Sequence, residues 1–173
     1  MGEVPKRLVV VRHAKSSWDD PTVADHDRPL APRGIKALRR LRDHLEGSTP
    51  TADLVLCSSS QRTRETLDGI RPVLGDDAVI EIEPALYGAS ASELVARLRR
   101  IDEPVTSVIL IGHNPGAAEL VELLAGPGAW EQWHLDKFPT AAVATFSLPG
   151  RWADLQSGSG VLEGVWTPRR APS

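Results

Sequence analysis

Two arginines and two histidines occupy positions in the sequence from which they could bind and transfer a phosphoryl group. Arg12 and His13 follow one short apolar run, Arg62 follows a serine-rich turn, and His113 follows another apolar run. Arginine binds phosphoryl oxygens through paired charge-assisted hydrogen bonds, and a neutral imidazole is available as a nucleophile at pH 7. A single histidine after a strand is more often a cap or loop residue than a catalyst. Two arginines and two histidines at one place nevertheless favour a phosphate site with a histidine nucleophile.

These residues need a scaffold that brings them together, and the sequence predicts an α/β domain. Apolar runs alternate with amphipathic helical patterns, which is typical of a three-layer α/β/α sandwich with a mainly parallel central sheet. Such a sheet binds ligands beyond the carboxyl ends of its strands, where all four residues are expected. Strands are predicted at residues 6–11, 53–57, 78–82, 105–111, 140–148 and 161–166, and helices at 32–45, 60–74, 91–101 and 115–125.

Two of the predicted helices begin beside the candidate residues. Ser60 stands just before one helix, and Asn114 and Pro115 stand at the start of another. The free N–H groups at a helix N-terminus attract anions. Both helix starts therefore add to the predicted anion site.

Length and composition indicate one globular domain at residues 1–166, followed by a frayed tail at 167–173. The chain has 173 residues, 41% of them hydrophobic, and 20 basic against 23 acidic residues give a net charge of −3. This balance predicts no general binding to nucleic acid. The apolar runs are too short to cross a membrane, and the N-terminus does not resemble a secretory signal. The lone Cys57 favours the reducing cytoplasm.

The order of motifs along the chain resembles that of a known family. Residues 12–18, which read Arg-His-Ala-Lys-Ser-Ser-Trp, resemble the Arg-His signature of the histidine phosphatase superfamily, and this form is similar to its SixA-like phosphohistidine phosphatase branch. The resemblance covers residues 6–148 and implies a phosphoglycerate-mutase-like fold. The other matching segments are Asp27–Leu30 with Arg33-Gly34, Cys57–Ser59 with Arg62-Thr63 and Glu65-Thr66, and Gly112–Pro115.

The resemblance implies a role for each of the four candidate residues. His13 would accept the phosphoryl group, and Arg12, Arg62 and His113 would hold its oxygens. Phosphoryl transfer depends mostly on positioning and charge neutralisation, so two arginines and a protonated His113 could act without a metal or other cofactor. His13 should attack as the neutral tautomer while its other ring nitrogen donates to a backbone carbonyl. The sequence does not say which nitrogen does so.

Four further residues are predicted to contribute. The resemblance also implies a carboxylate after the third strand that protonates the leaving group. Glu83, directly after the third predicted strand, is the best candidate for it, and a solvated strand-end carboxylate is an equal alternative. Arg28, Lys15 and Ser58 are predicted to contact the substrate. The basic stretch that contains Arg28, Arg33, Lys36, Arg39, Arg40 and Arg42 is interpreted as a solvated helix face.

Other phosphate chemistries fit less well. Four residues separate Cys57 from Arg62, whereas the loop of cysteine phosphatases has five. Asp25-His26-Asp27 lacks the preceding apolar strand of Mg²⁺-dependent phosphatases, and no HxH or HExxH pair indicates zinc. Two alternatives stay open: a phosphomonoesterase for small esters or nucleotides, and a non-catalytic phosphate-binding module.

The expected substrate is a phosphorylated protein rather than a small phosphorylated molecule. Only 22 residues, 83–104, join the third predicted strand to the fourth, and about half of them form a helix. Little chain is left for a lid, so the cleft should admit a phosphorylated side chain. A P–N bond also needs an acid less than a P–O ester does. The sequence therefore favours protein phosphohistidine, with no nucleic-acid or membrane partner and no indication of the oligomeric state.

Overall fold

The structure is a computed structural model and describes residues 4–48 and 51–169. Its six strands form one sheet in the order β3-β2-β4-β1-β5-β6. The strands are β1 (Lys6–Arg12), β2 (Leu54–Ser58), β3 (Val79–Glu83), β4 (Ser107–Gly112), β5 (Val143–Leu148) and β6 (Val161–Trp166). The α-helices are α1 (Pro32–Ser48), α2 (Gln61–Ile70), α3 (Ala91–Leu98), α4 (Gly116–Ala125) and α5 (Ala129–Gln132).

The sheet is mainly parallel, as predicted. β3, β2, β4 and β1 pair in parallel, whereas β5 is antiparallel to both β1 and β6. β5 is reversed because the irregular segment after α5 returns to the carboxyl end of β1, where Ala141 N–H donates to the carbonyl oxygens of Arg12 and His13. The predicted α/β class with a mainly parallel central sheet is confirmed.

Helices cover both faces of this sheet. On β1, Leu8 and Val10 point into a core shared with α3 and α4, while Val9 and Val11 point into a second core shared with α1 and α2. Strands buried on both faces show continuous apolar runs instead of alternation. The same arrangement places the carboxyl ends of β1, β2 and β4 at one edge of the sheet.

Some predicted element ends are shifted. α2 ends at Ile70 rather than Leu74, because Pro72 lacks the N–H that a continuing α-helix needs, and residues 71–73 form a 3₁₀ turn. α1 continues through Gly47 to Ser48. At the far end of the chain Thr167 is buried and the Pro168 carbonyl accepts a hydrogen bond from Arg40 at 2.9 Å. The rest of the predicted frayed tail, residues 170–173, lies outside the described residues.

Within residues 4–48 and 51–169, none of the helices has the length and apolar character needed to cross a membrane.

Candidate active site

His13 lies immediately after β1 at the carboxyl edge of the sheet and is 7% exposed. Its Nδ1–H donates to the carbonyl oxygen of Ala14 at 2.7 Å, which leaves Nε2 as the nitrogen with the free lone pair. The Ala14 N–H in turn donates to Thr66 Oγ1 at 3.0 Å. Burial, together with the nearby His113 and two arginines, lowers the pKa of His13 to about 3. His13 is therefore neutral at pH 7, with the lone pair at Nε2 and the proton at Nδ1.

His113 follows β4 and lies beside His13, with 5.2 Å between the ring centroids. Its Nε2 is 2.7 Å from Ser58 Oγ, and its buried Nδ1 has no partner among the described residues. Burial and then the charge of Arg62 lower the pKa of His113 to about 4. In the protein alone His113 is therefore neutral, because burial disfavours the imidazolium. The protonated His113 expected with a bound phosphoryl group stays a prediction.

Arg12 and Arg62 bring two guanidinium groups to the two imidazoles. Arg12 ends β1 and donates from Nη1 to the carbonyl oxygen of Phe138 at 3.1 Å. Arg62 lies in the first turn of α2, where the Ser60 side chain caps the helix by accepting from the N–H of Thr63. Burial and the neighbouring Arg62 lower the pKa of Arg12. The Nε of each arginine is buried and has no hydrogen-bond partner in the described chain, so each guanidinium keeps an unpaired donor at this site.

The four residues line one cavity of about 330 Å³. Its lining carries three arginines, a lysine and two neutral imidazoles, and no carboxylate from the described residues. Such a concentration of donors and positive charge suits a phosphoryl group. The complete lining is Arg12, His13, Lys15, Ser16, Trp18, Arg28, Arg62, His113, Asn114 and Thr140.

Arg28 and Lys15 lie in this lining, where they were predicted to contact the substrate, whereas Ser58 does not. Arg28 is buried, donates from Nη1 to Ser16 Oγ at 2.9 Å, and stacks over the exposed ring of Trp18. Lys15 is exposed at the rim. Ser58 lies behind His113 and contacts its Nε2, so it orients this imidazole rather than touching the cavity.

Asp25, which sequence reasoning did not select, holds both cavity arginines next to it. Its backbone oxygen and Oδ2 accept from Arg62 at 2.6 and 3.1 Å, and its Oδ1 accepts from Arg28 Nη2 at 3.0 Å. The Tyr87 hydroxyl also donates to this carboxylate. The Tyr87 hydrogen bond and the arginines hold the pKa of Asp25 well below its usual range. Its position three residues before Arg28 is only a weak signal in the sequence. Asp25-His26-Asp27 is considered there solely as a motif of Mg²⁺-dependent phosphatases.

Glu83 is in a different place from the one its predicted role requires. It ends β3 and accepts from Arg97 Nε at 2.9 Å and from Arg97 Nη2 at 2.7 Å, and it does not line the cavity. Partial burial opposes ionisation, but the Arg97 hydrogen bonds prevail and lower the pKa of Glu83. An ionised carboxylate bound to another arginine has no proton to give, so this geometry conflicts with Glu83 as the general acid.

A close backbone contact fixes the loop that follows His13. The Ala31 N–H donates to the Lys15 carbonyl oxygen at 2.8 Å, and a Cβ at Gly34 would lie 2.2 Å from the same oxygen. Only glycine allows α1 to approach the loop so closely. The start of α1 thereby positions the loop that carries Lys15, Ser16 and the rim of the cavity.

This chain is similar to known proteins in both sequence and structure. A family model described as the histidine phosphatase superfamily (branch 1) matches residues 8–103. An uncharacterized protein of Mycobacterium tuberculosis (strain H37Rv) is 37% identical over 163 residues, which cover 92% of this chain and all of the relative. The phosphohistidine phosphatase SixA of Escherichia coli (strain K12) is 28% identical over 164 residues, 94% of each chain.

One of the similar solved structures is a complex with tungstate, an oxyanion. It is the protein histidine phosphatase SixA complexed with tungstate, which is 27% identical and superimposes with a TM-score of 0.75. The match covers 94% of this chain and 97% of that one. The likeness therefore extends over nearly the whole of both chains.

Proposed function

Because this chain belongs to branch 1 of the histidine phosphatase superfamily and is a phosphatase, we propose that it hydrolyses protein phosphohistidine, without a metal, through a phosphorylated His13. The observation that carries the proposal is the hydrogen bond from His13 Nδ1 to Ala14, which leaves Nε2 free beside Arg12, Arg62 and His113. A nucleophile that is neutral, oriented and surrounded by anion-binding donors meets the requirements of phosphoryl transfer.

In the first step His13 Nε2 attacks phosphorus. The new N–P bond forms as the bond from phosphorus to the substrate's imidazole nitrogen breaks, and the departing nitrogen takes a proton from solvent. Arg12 and Arg62 donate to the phosphoryl oxygens from nitrogens that have no protein partner. The nitrogen of a leaving imidazole is protonated readily by solvent, whereas an alkoxide leaves slowly unless an acid protonates it. The step therefore needs no carboxylic acid, which agrees with the position of Glu83 away from the cavity.

In the second step water attacks the phosphorus of phospho-His13. The N–P bond breaks, inorganic phosphate leaves, and Nε2 regains its lone pair while the proton lost by water goes to solvent or phosphate. The Ala14 carbonyl keeps its hydrogen bond to Nδ1 throughout and stabilises positive charge on the ring. Because a dianionic phosphoryl group favours imidazolium, its arrival should raise the pKa of His113 and turn this residue into a donor.

Metal independence is inferred from the charges that face His13. Arg12 and Arg62 lie where a phosphoryl group needs its charge neutralised, a task that Mg²⁺ performs in many phosphotransfer enzymes. Among the described residues, no three His, Cys, Asp or Glu side chains converge as ligands for a metal ion. Chelation with EDTA should leave the rate unchanged.

The choice of protein phosphohistidine is supported by the relatives and by the short connection between β3 and β4. Two relatives are described as a phosphohistidine phosphatase and a protein histidine phosphatase, and tungstate is a phosphate-like oxyanion. The connection from β3 to β4 has only 23 residues, which include a 3₁₀ turn at Pro84–Leu86 and the eight residues of α3, so it is too short to carry a long insertion over His13. A phosphorylated side chain on another protein could therefore enter.

The test compares substrates and traps the intermediate. Values of kcat/KM for a phosphohistidine-bearing domain, a phosphoserine peptide and small phosphate esters are measured in EDTA. We expect the phosphohistidine domain to be hydrolysed fastest, and rapid quenching to trap an acid-labile, base-stable phosphoenzyme that His13→Ala does not form. A small ester preferred by an order of magnitude would instead support the phosphomonoesterase alternative, and a strict Mg²⁺ requirement would refute the charge argument.

We also infer that the protein acts in the cytoplasm. Its single cysteine, Cys57, is buried in β2, and burial raises the pKa of the thiol to about 12. Such a thiol is inert, and a chain that depends on no disulfide suits a reducing compartment. Fractionation of the native cells, with a cytoplasmic marker as control, tests this inference.

A further inference from the structure

A second concavity opens on the face of α1, beside the cavity of about 330 Å³ described above. Its volume is about 670 Å³, and it shares Arg12, Lys15 and Thr140 with the cavity that contains His13. We call it the basic groove. Beyond the shared residues its charged lining is Arg33, Lys36, Arg39, Arg40, Lys137 and Arg169.

The basic groove carries positive charge that the described chain does not neutralise there. Its lining has eight cationic side chains and no carboxylate from the described residues, although the whole chain has a net charge of −3. Arg33, Lys36 and Arg39 are exposed and form no salt bridge within the described ranges. By contrast Arg62 and Arg97 each bind a carboxylate.

This arrangement is unfavourable for α1 by itself. Arg33, Lys36 and Arg39 succeed one another at a spacing of three residues, and Lys36 and Arg40 are four apart. Like charges at these spacings lie next to each other on a helix and destabilise it. An anionic ligand in the basic groove would relieve this repulsion. On α1, Asp43 lies three residues after Arg40 and four after Arg39 and offsets part of this repulsion. The interpretation of the basic stretch as a merely solvated face leaves the rest uncompensated.

We propose that the basic groove binds an acidic segment of the protein substrate, close in sequence or space to its phosphohistidine; this extends the function proposed above and rests on it. Since Arg12 and Lys15 line both concavities, a ligand in the groove lies next to a phosphoryl group at His13. Glutamate and aspartate side chains would pair with Lys36 and Arg39. The groove would thus select which phosphorylated proteins are used.

A protein segment fits this lining better than a nucleic acid does. Single-stranded nucleic acids are bound by basic grooves that also offer aromatic rings for base stacking. The uncharged lining of the groove is Ala37, Pro139, Thr140 and Pro168, which provides no such ring. Carboxylates need only the exposed cations that are present.

The experiment uses two peptides that carry phosphohistidine, one flanked by glutamates and one by lysines. Phosphoramidate serves as a small substrate that is too short to extend into the groove while its phosphoryl group lies at His13. The test variant is Lys36→Glu/Arg39→Glu. The matched control is Arg42→Glu/Arg100→Glu, which reverses two charges outside the groove lining. Binding of the unphosphorylated acidic peptide is measured separately by fluorescence anisotropy.

For the wild type at low ionic strength we expect kcat/KM to be at least about tenfold higher for the acidic peptide, because several exposed charges act together and steer association. Lys36→Glu/Arg39→Glu should lose most of this preference and keep its rate with phosphoramidate. The control should keep the preference. Added salt should reduce it in the wild type.

Several results would overturn the proposal. These are equal rates for the two peptides, the same loss in the control variant, or tighter binding of a single-stranded oligonucleotide than of the acidic peptide at the same groove. Failure of the proposed function gives a different pattern. In that case the acidic peptide binds and Lys36→Glu/Arg39→Glu releases it, but no P–N bond is hydrolysed.

Discussion

Two carboxylates near the carboxyl edge of the sheet, Asp25 and Glu83, are each bound by arginine but stand in different relations to His13. Asp25 binds Arg62 and Arg28, which both line the cavity that contains His13. Glu83 binds Arg97 of α3, which does not. A carboxylate at the right edge of a sheet is therefore not enough for a role in the reaction. Its role depends on which cation it orients.

The two pairs also differ in what the arginine can still do. Arg62 is 6% exposed and is held by the backbone and the side chain of Asp25, which leaves its Nε without a protein partner. Arg97 uses Nε and Nη2 on Glu83 and also reaches Glu81. Asp25 thus holds the Arg62 guanidinium at the cavity, whereas Glu83 and Glu81 accept the hydrogen bonds of the Arg97 guanidinium.

The largest effect is expected at the nucleophile. His13→Ala should lower kcat by about 10⁴-fold or more, because removal of a covalent nucleophile removes the reaction path. The fold should persist, since His13 lies at a strand end and not in either apolar core. Steady-state assays with a phosphohistidine domain and circular dichroism measure both expectations. Full activity in His13→Ala would end the proposal of covalent catalysis.

The next effect separates the two arginines. Arg62→Ala should lose about 3 kcal/mol of transition-state stabilisation, a fall of about 100-fold in kcat/KM, and Arg62→Lys should recover little because a point charge cannot make a bidentate contact. Arg97→Ala is the matched control and should keep kcat/KM within about twofold. If the two variants lose activity equally, the distinction drawn between the clusters is wrong.

A smaller effect separates the two carboxylates themselves. Asp25→Asn should lower kcat/KM by about tenfold, since Arg62 keeps its bond to the Asp25 carbonyl oxygen but loses the ionic contact. Glu83→Gln should leave both kcat and KM within about twofold. The assays use phosphohistidine and an ester side by side. A tenfold fall for Glu83→Gln with the ester alone would restore Glu83 as the leaving-group acid.

The smallest effect concerns stability against pH. Burial holds the pKa of His13 at about 3 and that of His113 at about 4, below the value of about 6.5 in an unfolded chain. As pH falls from about 6.5 towards 4, these two histidines become protonated in the unfolded chain while they stay neutral in the folded protein. The free energy of unfolding should therefore fall by up to about 1.4 kcal/mol per pH unit for each histidine.

The same titration distinguishes histidines from carboxylates. Asp25 and Glu83 have lowered pKa values, so the stability that they contribute is present above about pH 4 and is lost only at lower pH. Urea denaturation at pH 7.5, 6.0 and 5.0 should give a shallower dependence for His113→Ala than for the wild type. Identical slopes would show that His113 titrates normally in the folded protein.

Sequence alone determined the architecture and the four central residues. Apolar runs separated by amphipathic helices predict a parallel sheet, and parallel strands end at one edge because each helix carries the chain back across the sheet. Residues at the ends of such strands, or in the helix turn that follows them, are then brought together. Arg12, His13, Arg62 and His113 do meet in one cavity, as their local positions require.

Only the tertiary structure decided which groups pair and which are charged. Asp25 reaches Arg62 across 37 residues, Glu83 turns to Arg97, and β5 reverses direction where the chain returns to the end of β1. His113 is neutral because packing removes it from water. Periodicity and strand ends are local properties that a sequence displays. Ion-pair partners and desolvation depend on side-chain directions and burial, which exist only after the elements have packed together.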